Sequence, residues 1–145
     1  MIYRVVRTVL KQKKDPGLYK YLDHHMHLSN NLYNATLFRI RQNFTSRKKE
    51  HLTENELEVQ REIEETLELC PHLKRPKSVL GYKFLERMMR VMDNPDFFAG
   101  LPSQTAEECQ KAAVHDFRSW LASLREYKKH PEKYLGKQKM QQYKK

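Results

Sequence analysis

Residues 18–44 run for 27 positions without a proline or a glycine, and apolar side chains recur along them with a period of about 3.6. Tyr21, His25, Leu28, Leu32, Ala35 and Arg39 fall on one stripe, with Leu18, Leu22 and Ile40 beside it. That pattern suits one long amphipathic helix. A helix alone is marginal in water, so its stripe must be covered by other elements. The chain is thereby committed to a mainly helical body.

The partners are legible downstream. Thr53-Glu54-Asn55-Glu56 is a capping box that opens an acidic helix running to Leu69, where Cys70-Pro71 stops it. Ser78 is the expected N-cap of a third helix of about fourteen residues, marked by Tyr82, Leu85, Met88, Met89 and Met92. Asp93-Asn94-Pro95-Asp96 is turn chemistry. Ser103 is the expected N-cap of the next helix. Ala106, Ala113, Phe117, Trp120, Leu124 and Tyr127 follow at heptad-like spacing, with Cys109 and Gln110 sharing the gap, and His130-Pro131 ends the run. Phe117, Trp120 and Leu124 are expected in the core. The only strand-like segment is residues 2–10, dense in β-branched side chains. The expected fold is therefore mainly α: one N-terminal β-strand, a four- to five-helix, helix-turn-helix-like lobe and a basic C-terminal tail.

Charge narrows the class of partner. The chain of 145 residues carries 28 Lys and Arg against 18 Asp and Glu, net +10. Residues 1–52 hold eleven Lys and Arg against three acids, and residues 102–145 hold ten against five. Between them, residues 53–72 hold one Arg against seven Glu. The basic blocks also carry Tyr19, Tyr21, Tyr33, Phe38, Phe44, Trp120, Tyr127, Tyr134 and Tyr143. Cations neutralise phosphates and flat rings stack on bases, so the mixture points to nucleic acid. No apolar run approaches the ~20 residues of a membrane span, and no signal-type apolar segment opens the chain. Two cysteines exclude a disulfide scaffold. The expectation is a cytoplasmic protein with no membrane partner.

Catalytic tools are missing from the pattern. His24, His25 and His27 lack the spacing of a helical zinc pair, and there is no phosphate-cradling glycine loop or nucleophile elbow. The glutamates of the acidic helix point in several directions and do not assemble a two-metal site. No catalytic residue, metal or cofactor is expected.

Three stretches together resemble the N-terminal part of the TnpB (OrfB) family of transposon-encoded RNA-guided nucleases, relatives of type V CRISPR effectors. They are Asn31-Leu32-Tyr33-Asn34-Ala35-Thr36-Leu37-Phe38-Arg39-Ile40-Arg41-Gln42; Asp93-Asn94-Pro95-Asp96 with Leu101-Pro102-Ser103-Gln104-Thr105-Ala106; and Phe117-Arg118-Ser119-Trp120-Leu121 with Tyr127-Lys128-Lys129-His130-Pro131-Glu132-Lys133-Tyr134-Leu135-Gly136-Lys137. Their order and spacing cover essentially the whole chain. The family's two prolines after Lys137 are replaced here by Gln138 and Gln141.

The resemblance implies a layout. Residues 1–14 would be the first strand of a wedge-type barrel, 15–130 a helical recognition lobe, and 131–145 a basic tail leading to the remainder. It implies a transposon-derived guide RNA and double-stranded DNA as partners. The RuvC-type domain that cuts has no counterpart in these residues, so a separately encoded catalytic half is a further implied partner. It places Tyr82, Lys83, Leu101, Ser103 and Gln104 near the duplex beside the target. Gln104 could read adenine, and the helix start could favour phosphate. Arg39, Arg41, Gln42, Arg47, Lys48 and Lys49 form the candidate RNA or heteroduplex face, and Lys137 and Lys139 match the family's basic tail. Two rivals stay open: a stand-alone helical DNA-binding regulator of a transposable element, and a non-functional remnant of one.

Overall fold

A computed structural model gives the structure of the chain and describes residues 4–145. Among those residues there are four α-helices: α1 (Pro16–Ser46), α2 (Glu54–Leu69), α3 (Tyr82–Val91) and α4 (Ser103–Lys129), with a short 3₁₀ turn at Pro131–Lys133. The long helix starts earlier than expected because Pro16 suits the first helical position, where no N–H is needed, and it runs on to Ser46. α1 packs most extensively on α4 and also on α2, while α3 bridges α2 and α4.

The core sits where the four helices meet. Leu37 and Ile40 of α1, Val59 and Ile63 of α2, Leu85 and Met88 of α3, and Ala113 and Phe117 of α4 are all buried there, closed from the side by Leu80. A satellite cluster of Leu32, Met89 and Ala106 continues it toward the start of α4, with Phe97 and Leu101 against it. Of the three expected core residues on α4, Phe117 is fully buried, whereas Trp120 and Leu124 are half-buried at the edge. Trp120 packs on Phe117 and Phe44 and donates from Nε1 to the Gln138 carbonyl at 3.2 Å.

The expected strand is not formed among the described residues. Residues 4–10 have no regular structure, and Val5, Val6 and Val9 are 91%, 79% and 75% exposed. A strand needs a neighbour to take its N–H and C=O groups, and none of residues 4–145 forms one. Ile2 and Tyr3 lie outside the described residues. The described residues hold four α-helices, the lower of the expected four to five, and residues 95–98 form turns.

Two caps also differ from expectation. Thr53 caps α2 as read, with Oγ1 accepting from the Glu56 N–H at 3.3 Å. α3, however, starts after Gly81 rather than Ser78 and has ten residues. At α4, Ser103 lies inside the first turn with Pro102 before it, so no side chain caps this helix. The turn between α3 and α4 behaves as its residues suggest. Asp93 adopts a left-handed φ of 51°, and the buried Asn94 accepts from the Asp96 and Phe97 N–H groups. That fixes the Phe97-Phe98 pair beside the start of α4.

The basic tail folds back onto α1. The Asn34 amide pairs with both the N–H and the C=O of Lys144, each at 2.7 Å, as a neighbouring strand would. Gln141 Nε2 donates to the Tyr33 hydroxyl.

Candidate nucleic-acid interface

The face at the basic end of α1 divides into anchored and exposed cations. Arg39 is 8% exposed: its guanidinium donates to both Glu62 oxygens at 2.9 and 3.1 Å and to the Ala35 carbonyl. It lies on the covered stripe of α1, where a cation persists only when paired. The expectation that Arg39 faces a nucleic acid is therefore corrected, because its donors are turned inward. Lys49 binds the buried Glu56 at 2.6 Å and closes the turn between α1 and α2. Arg41 is half-buried, stacked 4.7 Å over the Tyr143 ring and donating to the Gln141 carbonyl. Gln42 joins Arg41, Asn34 and Tyr143 around an open depression of 670 Å³. Arg47 and Lys48 are exposed, with Lys48 turning the chain at a φ of 64°. Lys137 and Lys139 are exposed on the tail. Arg47, Lys48, Lys137 and Lys139 have no carboxylate partner among the described residues.

The second expected group converges better. Tyr82, Leu101 and Ser103 meet around a 480 Å³ pocket between α3 and the start of α4. Lys83 and Gln104 are exposed but do not line it. Phe97, Phe98, the Glu86–Arg90 ion pair and Gln110 also line it. Tyr82 is held neutral at ordinary pH: burial first, then the negative charges of Glu107 and Glu86, raise its pKa. A second depression of 390 Å³ shares Tyr82 as a wall and is lined by Lys111, His115 and Arg118. Lys111 sits 5.2 Å over the Tyr82 ring and pairs with Glu107.

Sequence reasoning missed Gln110, Phe98 and the tail contacts. The signal for Gln110 was a polar residue in the gap of an apolar heptad. Asn34 and Gln141 carry no local pattern, since their partners lie 110 and 108 residues away in the chain.

Among the described residues, no group of three or more His, Cys, Asp or Glu is placed to hold a metal ion. The histidines of α1 face local partners: His25 Nδ1 lies 3.0 Å from the Tyr21 carbonyl and His27 lies 3.5 Å from Asp23. No described helix is long and apolar enough to cross a membrane. Neither a family model, nor a curated protein, nor a solved structure matches the chain.

Proposed function

We propose that this chain is the recognition part of a TnpB-like, RNA-guided DNA endonuclease of a transposable element. It works in the cytoplasm, holding guide RNA and target-adjacent duplex without cutting either. The observation that carries this reading is the separation of cations. Arg39 and Lys49 are held by acids of α2, while Arg47, Lys48, Lys137 and Lys139 remain exposed on a chain of net +10. Acids that tie the inner cations fix the fold, and the outer ones meet phosphate. The convergence of Tyr82, Leu101 and Ser103 on one pocket adds a place where bases, rather than backbone, could be recognised.

One observation favours the rival reading of a stand-alone helical DNA-binding module. The core is closed by α1–α4 and Leu80, with no side chain from residues 4–10 in it. Such a body could act without a barrel.

The test is the salt dependence of binding by the full chain to duplex DNA and to structured RNA. With about five phosphates neutralised, log affinity falls against log salt with a slope of about −3.5 to −4.5. Replacing Arg47, Lys48, Lys137 and Lys139 together by Ala flattens that slope with little change in melting temperature. Binding that ignores salt would sink the nucleic-acid reading.

A further inference from the structure

The exposed apolar surface of this chain is unevenly placed. Among the described residues, eight of the thirteen large exposed apolar side chains lie between Val5 and Met26, and two of the other five, Leu57 and Leu69, lie on α2. On the first half of α1, Leu18, Tyr21, Leu22 and Met26 are spaced i, i+3, i+4 and i+8, and none belongs to either core cluster. A concentrated patch of this kind marks a docking surface.

The outer side of α2 complements it. Three of the seven glutamates of α2 are matched: Glu56 by Lys49, Glu62 by Arg39 and Glu64 by Arg75. Glu54, Glu58, Glu65 and Glu68 have no cation within ion-pair distance among the described residues. Their spacing puts them in one row along the helix, with Arg61 between them. Leu57 and Leu69 flank that row and are 54% and 66% exposed. The α1 face has the opposite sign: residues 4–26 hold six Lys and Arg against two Asp, and Lys11, Lys13 and Lys14 stand just before its first turn. The lengths also agree. α2 has 16 residues and residues 16–31 of α1 are as many, about 24 Å each.

Within one chain these faces cannot meet. α2 turns Val59 and Ile63 to the core that it shares with the second half of α1, so its glutamate row points away from that helix. Two α1 faces laid together would oppose like charges, and an anionic lipid surface would be repelled by the α2 row. A second copy satisfies both faces at once. The net charge of +10 on each copy does not forbid this, because charges more than about 10 Å apart are screened at about 0.1 M salt, whereas facing charges are not.

We infer that the first half of α1 docks on the outer side of α2 of a second copy, Leu18, Leu22 and Met26 meeting Leu57 and Leu69, with the lysines before α1 set against the glutamate row. Made reciprocally, the contact closes a two-fold pair; made once per copy, it extends a chain. It does not depend on the nucleic-acid reading.

The experiment is sedimentation of the full chain, free of nucleic acid, from about 1 μM to about 1 mM at about 0.1 M salt. Association that grows with concentration and weakens with salt is expected. Glu58→Lys with Glu65→Lys, or Lys11→Glu with Lys14→Glu, should each weaken it at least about tenfold, because like charges then face each other. Leu22→Ser should weaken it too. A mixture of the two charge-reversed chains should recover association, since each then offers the other a complementary face. All of these positions are exposed or half-buried, and melting temperatures check that the variants fold; a reversed chain that melts early is replaced by Glu58→Gln with Glu65→Gln. A chain that stays monomeric throughout overturns the inference. If that monomer binds phosphatidylserine vesicles through Leu22, the face belongs to lipid instead. Association untouched by the α2 reversal, or lost by both reversals and not recovered in the mixture, also overturns it.

Discussion

The two halves of α1 share one helical pattern and meet different surroundings. From Leu32 to Asn43 the stripe is covered: Leu32, Leu37 and Ile40 have no exposed surface, and even Thr36 and Arg39 are buried. Before Leu32 the same spacing carries Leu18, Tyr21, Leu22 and Met26, which are 51%, 57%, 43% and 55% exposed. The covered half lies against α2 and α4, whereas no described element covers the first four turns. The difference teaches that periodicity states which face wants covering and not whether a cover is present.

The largest effect should separate these halves. Phe117→Ala empties the centre of the core that the second half of α1 packs on, and should cost about 3–5 kcal/mol in chemical denaturation. Leu22→Ala, on the exposed half, should stay within about 0.5 kcal/mol. A Leu22 loss approaching the Phe117 loss would mean that the first half is covered in solution.

This contrast marks how far the sequence could be read. The long helix, the acidic helix with its Thr53 cap, the Asn94 turn and the end of α4 at His130 were all legible, because each depends on neighbours in sequence. The strand at residues 2–10 was not, because β-branched composition states a preference that only a pairing partner can realise. Ser78 and Ser103 are good capping residues, but they stand three and one positions from the caps that the structure uses, Gly81 and Pro102. For the candidate site, the resemblance alone grouped Tyr82, Lys83, Leu101, Ser103 and Gln104; Tyr82, Leu101 and Ser103 line one pocket, whereas Lys83 and Gln104 do not. Arg39 was misjudged as a contact residue although its place on the apolar stripe was visible, because its partner Glu62 lies 23 residues on.

Arg39 gives the next test, within the covered half. Arg39→Ala leaves Glu62 buried and unpaired, and should cost about 3–5 kcal/mol. Replacing both partners, as Arg39→Met with Glu62→Leu, removes the stranded charge and should recover most of that loss. If Arg39→Ala folds as stably as the parent but binds nucleic acid less tightly, the residue is a contact and the pair is incidental. Loss of stability with an unchanged salt slope is the expected result.

A smaller effect than those at Phe117 and Arg39 lies at the boundary between the halves, at Tyr33. Its ring is buried, its hydroxyl donates to Asp116 of α4 at 2.6 Å, and it accepts from Gln141 of the tail. Tyr33→Phe keeps the ring and should cost about 1 kcal/mol at neutral pH. Burial first, and then Asp116 through its hydrogen bond and its charge, raise the Tyr33 pKa well above the ordinary value of 10.0. A raised pKa means that the folded state favours the neutral phenol. The contribution is therefore fully present below the unfolded value and is lost as pH rises from about 10 toward the folded one. The stability gap between parent and Tyr33→Phe should be constant through neutral pH and shrink above about 10. A gap that instead widens at alkaline pH would mean that the ionised phenol is the form the fold prefers, and that α4 and the tail do not clamp α1 at this point.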